Sequence, residues 1–487
     1  MAPSAIDKQI ANPANPVWVD RDALRTDFTL AMSAMYKAEV PLYGDLVQIV
    51  SSINGDLIHQ SSLDPKVLSL RYGDAQSARL DIERHGAIRL GTPHELSTIR
   101  RLFALIGLYP VGYYDLSAAG LPMHATCFRP RSEASLLKNP FRVFTSVLRP
   151  ELLENQETKE LALELLSRRN IFSDQLMQLL DLGDVQSGRL TQEQSREFIT
   201  EAIKTFGWQS TAAATHNEYS HLRSEHPILA DIACFRSSHI NHLTPRTLDI
   251  NVAQDQMKAV GMQVKDRIEG PPARACPILL RQTSFLAIEE PIKFIVEGGS
   301  PLLNGSHKAR FGEIEERGAA VTPKGRRLYD ELLENAMSQA RAMAGDGDDL
   351  SPEAMDELVS RIFQAYPDDW DELRRNGLIF CTYRCTAKGL NTKLALSKYN
   401  LEILVGSGIL EAQPITYEDF LPLSAAGIFQ SNLGSEGSPK EHVARPDEKG
   451  MEEALGAVLE DSDELYTKMQ NDSINECSSA LCVSIDV

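Results

Sequence analysis

Apolar residues recur at two periods along this chain, and the switches between them lay out its elements. From residue 21 to about 53 the period is helical: Leu24, Phe28, Ala31, Met32 and Met35 share a face, and Asp20 is placed to cap the first turn. Around residues 80–90 the period drops to two. Leu80, Ile82, Ile88 and Leu90 share one parity and Asp81, Glu83, His85 and Arg89 the other, which predicts a strand. Gly91-Thr92-Pro93 then turns the chain with Pro93 at a first helical position, and Glu95 to Ile106 reads as an amphipathic helix closed by Gly107. Apolar runs broken by Gly and Pro over 109–147, such as Val111-Gly112-Tyr113-Tyr114 and Phe141-Arg142-Val143-Phe144, predict several short strands.

The character changes at Pro150. Residues 151–168, 171–182 and 191–206 have helical periodicity and composition, strand-rich character returns at Ile228 and runs to about Arg317, and 323–344 with 352–363 form a second helical block. Gly345-Asp346-Gly347-Asp348-Asp349 lacks the ligand spacing of a calcium loop and is expected to be a solvated turn. Residues 431–487 are rich in Ser, Gly and acids, with one helical-looking piece, Met451 to Leu459. The pattern predicts an N-terminal helical segment over 1–75 packing on a core. That core spans 76–433, with helical insertions near 150–206 and 323–375. Residues 434–487 are expected to be a mobile acidic tail.

Composition narrows the function classes. The chain has 487 residues, 68 acidic against 49 basic, and a net charge of −19. Nucleic-acid and anionic-membrane binders need a basic footprint, so neither partner is expected, and an anionic ligand would have to be held by a local cluster of arginines. The seven cysteines are an odd number scattered through a long chain, which fits a reducing compartment. Cys381 and Cys385 lack the partners of a zinc site. No apolar run approaches the ~18 residues of a membrane span, and the first twenty residues lack a secretory h-region, so the cytoplasm is the expected location.

Four stretches could carry chemistry. In the 80–90 strand His85 and Arg89 are four apart, hence on one face roughly 13 Å apart at ~3.3 Å per residue. By itself this polar face reads as a solvated edge. In Ser238-His239-Ile240-Asn241-His242-Leu243-Thr244 two histidines three apart face opposite sides of a strand, so only one serves a given pocket. In Arg310-Phe311-Gly312-Glu313-Ile314-Glu315-Glu316-Arg317, parity groups Glu313, Glu315 and Arg317 and leaves Glu313 and Glu315 unresolved. In 414–429, small residues beside Ser424 allow close backbone approach to a ligand or a tight packing corner. Two imidazoles and a carboxylate from three distant strands suit an octahedral non-haem Fe(II) site with three open positions. A 2-oxo acid chelating through its keto oxygen and carboxylate fills two, and dioxygen the third. His216, His221 and His226, five apart, fit neither a strand nor a helix face and are expected in hydrogen-bonding or supporting roles.

Together these stretches resemble the 2-oxoadipate dioxygenase/decarboxylase family, also called D-2-hydroxyglutarate synthases, an iron-dependent branch of the vicinal oxygen chelate superfamily. The matching pieces are ERHGAIRLGTPHEL, HINHLTPRTLDI, EGPPARACPILLRQTSF, SHKARFGEIEERGAAVTPKGRRLYD and PITYEDFLPLSAAGIFQSNL, over about residues 80–433. Glu316 stands where the family often has glutamine, and the tail after 434 is expected to have no counterpart there. The resemblance implies an α+β fold with a vicinal-oxygen-chelate-like curved sheet holding the metal among helical insertions. It implies that His85, His242 and Glu313 bind Fe(II), that Arg89 binds a substrate carboxylate, and that the Leu423 backbone and Ser424 complete the pocket, with no catalytic residue beyond the metal centre. The implied reaction is 2-oxoadipate plus O2 giving D-2-hydroxyglutarate and CO2, a step in lysine breakdown. The alternatives are a related enzyme acting on another 2-oxo acid, or a non-redox metal-dependent lyase or isomerase.

Overall fold

The computed structural model describes residues 17–60, 63–72, 83–296, 302–344, 350–395, 397–421 and 443–486. The acidic loop 345–349, the expected strand residues Leu80, Asp81 and Ile82, and the expected pocket residues Leu423 and Ser424 lie outside these.

Ten strands carry the part of the fold that matters for the site. In chain order they are β1 (His85–Leu90), β2 (Tyr109–Asp115), β3 (Met123–Arg129), β4 (Arg142–Leu148), β5 (Thr211–Thr215), β6 (His242–Thr244), β7 (Leu280–Ser284), β8 (Glu289–Ile295), β9 (Leu303–Lys308) and β10 (Phe311–Arg317). Seven of them form one mixed, curled sheet in the order β2-β3-β4-β1-β6-β10-β7. β1 runs parallel to β4 and antiparallel to β6, and β6 runs parallel to β10. β5, β8 and β9 form a separate three-stranded sheet. The result is the α+β, curled-sheet architecture expected from the sequence.

β1 sits in the middle of the large sheet, and all six of its residues are buried. Its polar parity is therefore interior, not a solvated edge. Ile88 and Leu90 face one apolar core, shared with Phe128, Val143, Leu243, Phe311 and Ile314. Ala87, on the parity of His85 and Arg89, belongs to the other. Close approach on the first side requires two glycines. A Cβ at Gly86 would fall 2.6 Å from Ile240 Cδ1, and one at Gly312 would fall 2.4 Å from Phe285 Cε1, both far inside contact distance.

The helices α1 (Arg21–Glu39) and α2 (Pro41–Gln60) cover that first side. Asp20 caps α1 as expected, its carboxylate accepting from the Asp22 and Ala23 amides. The buried Tyr36 hydroxyl is shared between the carbonyls of Asn241 (2.9 Å) and Phe311 (2.8 Å), which ties α1 to the starts of β6 and β10.

Two regions differ from the sequence reading. Ile228 opens no strand: Ile228–Ala233 is buried throughout in a short helix, Pro227–Ala233, and a short run apolar but for Asp231 has no clear period to tell helix from strand. Much of the tail is ordered against the core. Glu448–Leu455 and Ser462–Leu481 are helices, and the second packs on the strand Cys381–Cys385. Its buried apolar stripe is sparse, Tyr466, Ile474 and Cys477, and is hard to see among acids and serines. Tyr466 donates to Asp419 Oδ2 at 2.6 Å and accepts from the Glu418 amide at 2.7 Å. Tyr466→Phe should therefore cost about 1–3 kcal/mol by leaving buried polar groups unpaired, read as a lower denaturation midpoint.

Candidate metal centre

Register brings three distant segments together. His85 lies opposite Thr244 across the β1–β6 pair, and His242 lies opposite Phe311, two residues before Glu313, across β6–β10. His85 Nε2 is 2.9 Å from Glu313 Oε1, and His242 Nε2 is 3.8 Å from the same oxygen. One donor atom from each of the three side chains lies within 4.8 Å of the others, a group that could hold a metal ion, and all three are buried. The Thr244 hydroxyl, 3.1 Å from His85 Nε2 and 3.2 Å from Glu313 Oε1, borders the same space. The Phe420 ring stands edge-on to His85 at 4.8 Å, and Phe311 stacks on His242 at 4.6 Å, so the walls are aromatic.

The donor set suits a divalent ion of intermediate softness: two imidazole nitrogens and one carboxylate oxygen. Burial pushes His242 from the ordinary 6.5 down to about 3, so its imidazole is neutral at physiological pH and able to ligate. For Glu313, burial opposes the charge, but His242, His85 and Lys265 together hold it below the ordinary value.

Glu313 and Glu315, which parity leaves together, stand at the two nitrogens of one imidazole. Glu313 faces Nε2, and Glu315 Oε2 lies 2.7 Å from His85 Nδ1. Glu315 in turn accepts from Arg317 Nε at 2.9 Å and Nη2 at 2.7 Å. Burial opposes its charge too, but Arg317 and His85 keep it well below the usual carboxylate range. A carboxylate on Nδ1 fixes the tautomer, leaving the Nε2 lone pair for a metal. Glu316, of opposite parity, is 2.6 Å from Arg71 Nη2 on the far side.

His239 and His242 part company, and only His242 lies on a strand. His239 joins Asp231 and His307 in a second buried group, and Arg89 reaches it: Arg89 Nη1 donates to Asp231 Oδ2 at 2.5 Å. Arg89 is also among the charges that depress His242. The three histidines spaced five apart stay outside: His216 stands against Phe294, His221 meets the Thr158 hydroxyl, and His226 caps the helix Pro227–Ala233. Asp231, Thr244, His307 and Phe420 escaped the sequence reading. Asp231 sits in the misread helix, and a lone polar residue in an apolar run was the signal available.

A curled mixed sheet that gathers two imidazoles and a carboxylate from three strands defines the class, an α+β protein with a candidate metal centre. The chain belongs to the 2-oxoadipate dioxygenase/decarboxylase family, whose model matches residues 28–432. The protein of that name from Escherichia coli (strain K12) is 45% identical over 460 residues, covering 94% of this chain and 98% of that one. The one from Pseudomonas putida is 44% identical over 470 residues, covering 96% and 99%. The crystal structure of a hydroxyglutarate synthase in complex with 2-oxoadipate, also from Pseudomonas putida, superposes with a TM-score of 0.85 at 43% identity. It covers 96% of this chain and 100% of that one.

Two predictions test this geometry. Glu315→Gln should weaken divalent-metal binding by about 10–100-fold, as loss of a carboxylate behind a ligating histidine does, measured by competition with a chromogenic chelator. For the metal-free protein, the unfolded chain takes up the His242 proton near 6.5 and the folded chain only near about 3. The unfolded state therefore binds more protons between these values, and stability should fall as pH drops through that window. Urea denaturation of metal-free protein at pH 7 and pH 5 should show the loss.

Proposed function

We propose that this chain is an Fe(II)-dependent dioxygenase that converts 2-oxoadipate and O2 to D-2-hydroxyglutarate and CO2, working in the cytoplasm in lysine catabolism. One observation carries the reading: the buried His85, His242 and Glu313 group sits in a chain matched almost end to end by a hydroxyglutarate synthase whose structure was solved with 2-oxoadipate. No helix among the described residues is long and apolar enough to cross a membrane, which is compatible with that location.

His85, His242 and Glu313 would hold the iron. Bound there, Fe(II) supplies open coordination positions for a 2-oxo acid and dioxygen and the electrons that activate oxygen. In the net reaction the bond between C1 and C2 of the substrate breaks and C1 leaves as CO2. The former keto carbon becomes a carboxylate and C3 gains the hydroxyl, so both atoms of O2 end in the products.

The chain's own contribution is support and placement. Glu315 keeps the His85 proton on Nδ1, away from the metal side. Arg89, four residues along the same strand, would bind the distal carboxylate with a charge-assisted contact. The backbone of Leu423 and the Ser424 hydroxyl would complete the pocket. Holding both ends of the diacid leaves one face of one carbon open to oxidation, which is what a single product enantiomer requires.

Oxygen-electrode and CO2 measurements should show uptake and release in equal amounts, dependent on both Fe(II) and 2-oxoadipate, with the product resolved by chiral chromatography. His85→Ala should reduce iron content and turnover to background. Iron-loaded protein that leaves 2-oxoadipate intact under oxygen would overturn the substrate, and turnover without oxygen would favour a lyase or isomerase.

A further inference from the structure

Arg89 rests on a buried polar platform that the metal triad does not use. Asp231 accepts from Arg89 through Oδ2, while its Oδ1 lies 2.9 Å from His307 Nε2 and 3.0 Å from His239 Nε2. The Tyr219 hydroxyl is 2.9 Å from His307 Nδ1. With that hydroxyl donating to Nδ1, the His307 proton sits on Nε2 and is donated to Asp231. All four side chains are buried, each residue only 3% exposed. Trp208 stands 4.9 Å from the His239 ring and Phe235 stands 4.7 Å from His307, so water is excluded by aromatic surface.

Asp231, His239 and His307 also have the spacing of a cation site. The carboxylate is already answered on both oxygens, by the Arg89 guanidinium on one and the His307 imidazole on the other, so a second metal has no charge left to neutralise. Burial opposes the Asp231 charge, yet Arg89 and His239 hold it well below the usual carboxylate range, and burial keeps His239 low. The arrangement is a fixed anion beneath a guanidinium.

A guanidinium is planar, with its five donors in one rigid fork, so anchoring one edge sets the direction of the rest. We propose that Asp231 is a positioning residue for substrate selection. Backed by His307 and His239, it fixes the Arg89 guanidinium so that the site favours 2-oxo acids bearing a distal carboxylate over monocarboxylates of equal length. This rests on the reading that Arg89 binds that carboxylate.

The test uses iron-loaded wild type, Asp231→Asn, Tyr219→Phe and His307→Gln, with kcat and KM measured on 2-oxoadipate and on 2-oxohexanoate. Asp231→Asn should lower the diacid-over-monoacid ratio of kcat/KM by about 10-fold or more, chiefly through the KM for 2-oxoadipate, as expected when one partner of a buried charge pair is removed. Iron content should hold. Tyr219→Phe, which frees the His307 tautomer, should shift the ratio the same way by about 2–5-fold. His307→Gln, which keeps a donor toward Asp231, should shift it less than Asp231→Asn.

Equal losses on both substrates, or an unchanged ratio, in Asp231→Asn with normal iron content would overturn the inference. If Asp231→Asn does not fold, an unchanged ratio in both Tyr219→Phe and His307→Gln overturns it. A wild type that ignores 2-oxoadipate, or does not prefer it over 2-oxohexanoate, would instead defeat the underlying reading of the site.

Discussion

The His85 imidazole, held at both nitrogens by carboxylates, is the constraint on which the rest of the structure depends. Two glutamates and an imidazole have been taken out of water together, and ionised groups in such a place are stable only if each is paired and hydrogen-bonded. Glu313 accepts from the Thr244 hydroxyl at 3.2 Å and faces the donor set that could hold a metal ion. Glu315 has Arg317, which grips it through two nitrogens and continues outward: its Nη1 donates to the carbonyls of Asp419 at 2.6 Å and Tyr417 at 3.1 Å. The support of one histidine thus extends to the segment leading toward Leu423.

That segment has further anchors. Asp419 accepts from Arg129 at 2.7 Å and 3.1 Å, and Glu418 accepts from Arg84 at 2.9 Å and from Arg142. A chain with a net charge of −19 therefore keeps several of its arginines inside, where each answers an acid or a row of carbonyls. Guanidinium suits this work because it stays charged when buried and offers planar, bidentate geometry. The outer helix Ser462–Leu481 belongs to the same scheme, since Tyr466 reaches both Glu418 and Asp419. An acidic C-terminal region is here part of the frame around the centre.

The central position of β1 has a similar logic. A strand in the middle of a sheet can bury one apolar face and present charged groups on the other only if the elements facing that side supply partners. β6 and β10 supply them for His85, and the platform of Asp231, His239 and His307 supplies them for Arg89. The two ends of the strand have separate electrostatic settings, one built for a cation and one around a fixed guanidinium.

Much of this was legible in the residues. The helical period of α1 and α2, the two-residue period of β1 and the alternation through Phe311–Arg317 come from local chemistry and from which side must be apolar, so they survive without knowledge of the fold. The candidate ligands His85, His242 and Glu313 could be named because their segments resemble a family, and parity narrowed the carboxylate to two. Tertiary structure decided the rest. Which nitrogen each glutamate meets depends on the register of β1, β6 and β10, and register is set by contacts hundreds of residues apart. The helix around Asp231, the docking of Tyr466 and the approach of His307 were invisible for the same reason. A buried polar residue is defined by its partners, and a linear pattern records the residue without the partner.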